Sequence, residues 1–394
     1  MRPLKQRCCQ SASGAENGPV SRTDPASSPP DAPVPPRPAA DLPALRTRNA
    51  ARVLDLLRTA GGEGISRLEL AERTGLTPQA VSKITARLRG EGLAAEAGRR
   101  ASTGGKPRTV LRLVPGAGSA VGLHLDRDAL TAVAVDLAGT PLAERRAPLA
   151  FASGAEVVVD TAVREVSALL DACGAAPIGV GVALPGPLDH ATGVLHRLTG
   201  FPEWDGFPLR DTLARRFGLP VVVDKDTNAA ALGLALAGAA GSAHGSFAYL
   251  HLGTGLGAGL VLDGALHRGA RTGAGEFGHQ VVQLDGPRCG CGNRGCVEAL
   301  CLAAVAAHAP DEAARVLGEG AANLVGLLDV DLVLLGGRTV GSDSARYVRG
   351  VDAVLSARAR RVGGPRVPVR AVDGDRAVRE GAAQLVLARV FGRG

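Results

Sequence analysis

A chain of 394 residues, 45% of them hydrophobic, exceeds one ordinary core and suits a small unit plus a large two-lobed one, since single cores stop growing at roughly 250 to 300 residues. No apolar run is long and pure enough to span a bilayer, no apolar signal core opens the chain, and the 7 Cys are not spread as a disulfide framework. Membrane-spanning and disulfide-stapled classes are therefore excluded, and a reducing cytoplasm is expected. The net charge of +7 is local: residues 44–113 hold 14 Lys/Arg against 6 Asp/Glu, so this one segment carries the whole positive excess. Such a field attracts polyphosphate, although a charge cluster by itself also describes a solvated face.

Residues 1–43 are rich in Pro, Ser, Ala and Gly, as in Val34-Pro35-Pro36-Arg37-Pro38, and read as a disordered leader that an upstream start-site choice would also explain. Residues 44–114 read as a winged helix-turn-helix. Ser66 with Glu69 forms a capping box, so a helix is expected from Ser66 to Thr74-Gly75, with Leu68, Ala71 and Leu76 as its apolar face. Thr77-Pro78 then opens a second helix with Val81, Ile84 and Leu88 inward. That orientation leaves Gln79, Ser82, Lys83 and Arg87 outward, where they would enter a major groove. The stretch from Arg99 to Leu113 reads as a two-stranded wing whose basic tip, Lys106 and Arg108 included, reaches phosphates or the minor groove. The competing reading is a small helical domain that makes only dimer contacts.

From residue 115 to 392 short β-rich runs alternate with Ala/Leu-rich helical stretches, the pattern of an α/β sheet. Strands are expected at 121–125, 131–136, 178–184, 221–224, 247–252, 259–262 and 332–335. His279, Cys289, Cys291 and Cys296 lie within one Gly-rich segment, and one imidazole with three thiolates closes the tetrahedral shell of a structural zinc ion. Free thiols are the alternative, disfavoured because exposed low-pKa thiols oxidise. Cys173 and Cys301 sit in apolar helical patterns and read as core, whereas Cys8 and Cys9 carry no assignment.

With these motifs in place the chain resembles the ROK family of sugar kinases and repressors, its transcriptional regulators in particular. Gly275-Glu276-Phe277-Gly278-His279 and the run from Cys289 to Glu298 are the most specific pieces, with Leu184-Pro185-Gly186-Pro187, Trp204 and Leu334-Leu335-Gly336-Gly337 in matching order. The resemblance implies two actin-like, ribonuclease-H-like lobes around a cleft, a sugar-kinase-type architecture. It also implies that Lys225, Asp226, Glu276, His279 and Glu298 hold a sugar, with Asp226 the general base if the chain is a kinase. Lys225 replaces the family's Asn; it would pair with Asp226 across an empty cleft or meet an acidic sugar. Bracing of the metal loop is the other reading of Glu276 and Glu298.

The family kinases' first phosphate loop is lost at His124-Leu125-Asp126-Arg127-Asp128-Ala129, where two carboxylates are expected to repel a polyanion. The second Gly-rich turn, Gly253 to Gly259, is kept. The expected function is a sugar-responsive transcriptional regulator, a homo-oligomeric repressor on double-stranded operator DNA with one structural zinc and no phosphorylation of its effector. An ATP-dependent sugar kinase with an added DNA-binding domain is the alternative, and a protein partner in the cleft a third reading.

Overall fold

Ser66 opens the first of the two predicted helices in the way its sequence dictates. In the computed structural model, which describes residues 42–102, 105–173, 177–196, 201–239, 241 and 245–393, the Ser66 hydroxyl accepts from the Glu69 amide at 3.3 Å and the Glu69 carboxylate accepts from the Ser66 amide at 2.8 Å. This reciprocal pair satisfies amides for which the first helical turn has no partners. The surrounding elements are α1 (Leu42–Thr59), β1 (Ile65–Ser66), α2 (Arg67–Thr74), α3 (Pro78–Gly90), β2 (Ala94–Ser102) and β3 (Gly105–Leu113). Gly75 ends α2 at φ 71°, a left-handed cap that a side chain would strain, and Thr77 and Pro78 start α3 as expected. Replacing Ser66 by Ala should lower stability by about 1 kcal/mol and speed hydrogen exchange in α2 above that in α3; equal exchange would show that the cap does not hold this helix.

On α3 the inner face is as expected, with Val81 and Leu88 buried and Ile84 half-buried. On α2 it is not: Leu68 is 42% exposed, and Leu70, with no exposure, fills the core instead. Helix α2 begins after Ser66, so Leu70, Ala71 and Thr74 share its inner side. Strands β1, β3 and β2 form one antiparallel sheet that packs beside α2 and α3. Residues 103 and 104, within the expected basic tip, and residues 1–41 of the expected leader lie outside the described residues.

The larger part repeats one topology twice. Its first lobe runs β4 (Ser119–Leu125), β5 (Ala129–Asp136), β6 (Pro141–Pro148), α4 (Ala155–Cys173), β7 (Pro177–Leu184), β8 (Leu188–Asp189), β9 (Val194–Leu195), α5 (Leu209–Phe217) and β10 (Val221–Lys225). Next come α6 (Asp226–Leu236), β11 (Phe247–Leu252), β12 (Leu256–Leu262), β13 (Ala265–Leu266), α7 (Val297–Ala306), α8 (Pro310–Leu328) and β14 (Leu332–Gly336). The chain closes with α9 (Arg338–Ser342), α10 (Ser344–Val362), β15 (Val369–Ala371) and α11 (Gly374–Val390). The sheet order is β6-β5-β4-β7-β10 in one lobe and β13-β12-β11-β14-β15 in the other. In both, the first three strands are antiparallel and the last two parallel. The two matching five-stranded sheets give the two-lobed α/β architecture expected of the chain.

Strand β6 was not expected. Its sequence, PLAERRAP, buries only Ala147, and it lies at the sheet edge beside β5, where charged side chains discourage further pairing. Helix α11 packs along α6 and against β4 and β7, while α6 packs against β11 and β12, so these two helices carry the contact between the lobes.

Candidate functional site

Parallel pairing of β10 with β7 ends at Lys225 opposite Leu184, and the chain turns directly into α6. That turn delivers Lys225 and Asp226 to the floor of a cavity of about 310 Å³ between the lobes. Glu276, His279 and Glu298 line the same cavity, so all five sugar-site positions named from the sequence meet at one place. Lys225 is 3% exposed. Its ammonium does not pair with Asp226: it donates to the Ala274 carbonyl at 2.6 Å and to Glu276 Oε1 at 3.0 Å. Asp226 accepts instead from the Thr227 amide at 2.6 Å, as a carboxylate at a helix N-terminus does. Glu298 Oε2 accepts from the Leu256 amide at 2.8 Å, and its Oε1 lies 4.0 Å from His279 Nδ1, contacts that brace the second Gly-rich turn against the metal loop.

The phosphate side of the cavity departs from the expectation of bare, repelling carboxylates. Arg338, the first residue of α9, places Nη1 2.8 Å from Asp128 and Nη2 2.8 Å from Asp126, so one guanidinium from one lobe holds both acids of the other. This fork holds the Asp128 carboxyl below the usual Asp range. Turn amides are also consumed. The Asp126 amide donates to the Ala129 carbonyl at 2.9 Å, and the Arg127 amide to Asp126 Oδ1 at 2.7 Å. A phosphate here would meet occupied donors, because the turn folds on itself.

Three residues of this side escaped the sequence reading, His251, Asp375 and Arg338; they line the cavity together with His124, which the sequence placed only in the lost first phosphate loop. His124 is buried in β4, and burial lowers its pKa, so a neutral imidazole faces the cleft. The Tyr249 hydroxyl lies 2.9 Å from His251 Nδ1, and burial pushes the Tyr249 pKa up. Only the lobe geometry assembles these residues; no local motif marks them.

His279, Cys289, Cys291 and Cys296 form a second cluster whose candidate ligand atoms all lie within 4.8 Å of one another. Cys289 Sγ is 3.7 Å from His279 Nδ1, and Cys291 Sγ is 3.8 Å from Cys296 Sγ. A tetrahedral zinc with Zn–S of about 2.3 Å and Zn–N of about 2.1 Å separates two sulfurs by roughly 3.8 Å and a sulfur from a nitrogen by roughly 3.6 Å, so the donor set fits that ion. Burial, with the neighbouring Cys291 and Cys289 thiols, pushes the Cys296 thiol up to about 12. As expected, Cys301 is buried away from this cluster, donating toward the Ala313 carbonyl at 3.5 Å.

Gln79, Ser82, Lys83 and Arg87 are exposed on one side of α3, and Arg87 lies 3.5 Å from Glu91. Arg108 is exposed on β3, its backbone opposite Arg100. The side chain of Lys106 lies outside the described residues.

Residues 120–304 match the ROK family model. The chain is 31% identical to the xylose repressor of Bacillus spizizenii over 237 residues, 59% of this chain and 61% of that protein, so it spans about three fifths of this curated relative's length. It is 45% identical to the glucokinase of Thermotoga maritima over 125 residues, 32% of this chain and 39% of that one. A solved structure described as a ROK family transcriptional regulator, a homolog of the Escherichia coli MLC protein, superposes with a TM-score of 0.74 over 88% of this chain and 97% of that chain, at 22% identity. At that identity the likeness concerns the fold.

Proposed function

Because the chain carries a ROK family domain, we propose that it is a transcriptional regulator whose α3 and wing bind double-stranded DNA and whose interlobe cavity binds a sugar or sugar derivative without phosphorylating it. The observation that carries this reading is the first phosphate turn, whose amides at 126 and 127 are spent internally and whose acids are closed by Arg338. Phosphoryl transfer depends on a held, neutralised nucleotide; sugar binding asks for neither. Asp226 and Glu276 supply acceptors for hydroxyl pairs, and Lys225 a donor, so the Lys225–Glu276 pair offers side by side what an amide offers alone. In this reading His279, Cys289, Cys291 and Cys296 hold one structural zinc ion, and the protein is cytoplasmic. Among the described residues no helix is long and apolar enough to cross a membrane.

A single α3 reads too few base pairs for specific recognition, so the DNA-bound form is a dimer, or a pair of dimers, on a twofold-symmetric operator. Each exposed face has its own expected readout. Lys83→Ala should cost about 1–3 kcal/mol of specific binding, whereas Arg108→Ala should weaken all sequences alike and reduce the slope of log K against log salt by about 1. Quantitative gel shifts on duplexes selected by the protein from random sequence measure both. Unchanged binding by both variants would remove α3 and the wing from the interface.

The effector is found by titrating pentoses, hexoses and their N-acetylated and acidic derivatives against the protein–DNA complex. A sugar that releases the DNA supports the reading. If none does, while DNA binding stands, the protein-partner reading of the cavity is favoured.

A further inference from the structure

The last helix of the chain ends where the first described one runs. After α11, Phe391 is 2% exposed, and the Arg58 guanidinium of α1 lies 5.0 Å above its ring. Arg393 Nε then donates to Asp55 Oδ2 of α1 at 2.8 Å, and Arg58 Nη2 donates to the other oxygen of Asp55 at 3.0 Å. Asp55 is 7% exposed, so one buried carboxylate binds the end of α11 to α1 through two cations. Its burial makes this a fixed joint, since a half-vacated buried carboxylate is costly.

The other end of α11 sits at the cleft. Its first residue, Gly374, abuts Gly336–Gly337 so closely that a Cβ would strike the Gly337 amide nitrogen, and the next residue of that turn is Arg338. Asp375 lines the cavity. Between its ends the helix has no slack. A Cβ at Gly122 of β4 would strike the Arg379 carbonyl, and one at Gly181 of β7 would strike the carbonyl of Ala382, so the α11 backbone lies directly on the first sheet. Such backbone-to-backbone packing shifts as a body; it does not deform gradually.

We propose that α11 is a rigid coupling rod: the Arg338 fork to Asp126 and Asp128 sets the lobe closure at one end, and the Asp55–Arg393 joint transmits it to α1 at the other. The rod is the route by which ligand in the cavity changes how α1 carries α2 and α3. It deepens the proposed regulation, and its purpose rests on the DNA-binding reading of α3, but its operation does not. Closure that the fork favours holds α11 in one position, and release of the fork lets the two lobes, both packed backbone-close on α11, change their closure and shift the helix between them. Neither end contains a residue of the sugar site.

The experiment is hydrogen–deuterium exchange on the full chain without DNA or ligand, comparing wild type, Arg338→Ala, Arg393→Ala and the double variant, with thermal melts to show that each is folded. Both arginines are partly exposed, Arg338 at 48% and Arg393 at 43%, so both variants are expected to fold. Arg338→Ala should speed exchange about fivefold in residues 374–378 and, remotely, in residues 51–59. Arg393→Ala should speed exchange in 51–59 alone, and adding Arg338→Ala to it should bring no further change there. A rise at 374–378 with 51–59 unmoved overturns the rod. No change at either place overturns the fork as the closing element, and effects of the two variants that simply add in 51–59 mean a different route.

Discussion

Cys291→Ser is expected to lower the zinc content of the purified protein from one ion per chain to none and its melting temperature by roughly 10 °C. That size corresponds to about 4 kcal/mol, at roughly 2–4 °C per kcal/mol for a domain of this scale, and places metal loss among the few single changes with so large an effect. The cause is local. Residues 280–296 have little regular structure; two isolated bridges, Val281 with Cys296 and Arg288 with Arg294, and turn hydrogen bonds such as that from the Gly295 amide to the Pro287 carbonyl hold the loop, and a metal on His279 and the Cys side chains would tie these turns together. With thiolates bound, metal affinity becomes folding energy; with the metal gone, Cys296 returns to a buried neutral thiol and the loop loses its closure. Glu298 then loses the brace that fixes its carboxylate on the Leu256 amide, so sugar affinity should fall in the same variant. A wild-type preparation that contains no zinc after expression in zinc-supplemented medium, or a Cys291→Ser protein that melts like wild type, sinks the site.

This cluster was legible because its four ligands lie within 18 residues of chain, where spacing alone brings them together. So were the capping box at Ser66 and the Thr77-Pro78 start of α3, both local devices whose partners sit three residues away. The strands announced by buried Val and Leu were legible too, but β6 was not, since an exposed edge strand carries Glu144, Arg145 and Arg146 where a core strand carries apolar residues. Long-range electrostatics escaped altogether. Asp126 and Asp128 look like bare acids until the fold brings Arg338 from 210 residues away, and Lys225 looks like a partner for its neighbour Asp226 until the 274–276 segment supplies two nearer acceptors. Helix geometry decides the second case: Asp226 begins α6 and its carboxylate accepts from the next amide, Thr227, while Lys225, the last residue of β10, reaches Ala274 and Glu276 of the opposite lobe.

The purified protein, given ATP and any sugar that it binds, is expected to release ADP no faster than the sugar-free protein, at least about 1000-fold below the 1–100 s⁻¹ typical of kinases. Asp226 lines the cavity as a carboxylate that would serve a kinase as general base, and Gly253 to Gly259 still form a turn at the cleft, so on this reading neither absent base nor absent turn limits the reaction. Positioning of the nucleotide does. An anion entering at 126–128 finds the amides of Asp126 and Arg127 already bonded, and must separate Arg338 from two carboxylates to gain its charge, leaving those two acids unpaired beside the phosphates. Releasing Arg338 alone does not open a cradle, so Arg338→Ala should remain inactive; this separates a missing phosphate loop from a merely blocked one. Asp226→Asn should weaken sugar binding about 10- to 100-fold, the loss of one charge-assisted hydrogen bond, and leave the ATP background where it was. Calorimetry with the sugar beside a coupled ADP assay reads both quantities. Sugar-dependent ADP release that disappears in Asp226→Asn would make the chain a kinase with an added DNA-binding domain. Sugar-dependent release that appears only in Arg338→Ala would mean that the Arg338 fork alone holds a working phosphate site closed.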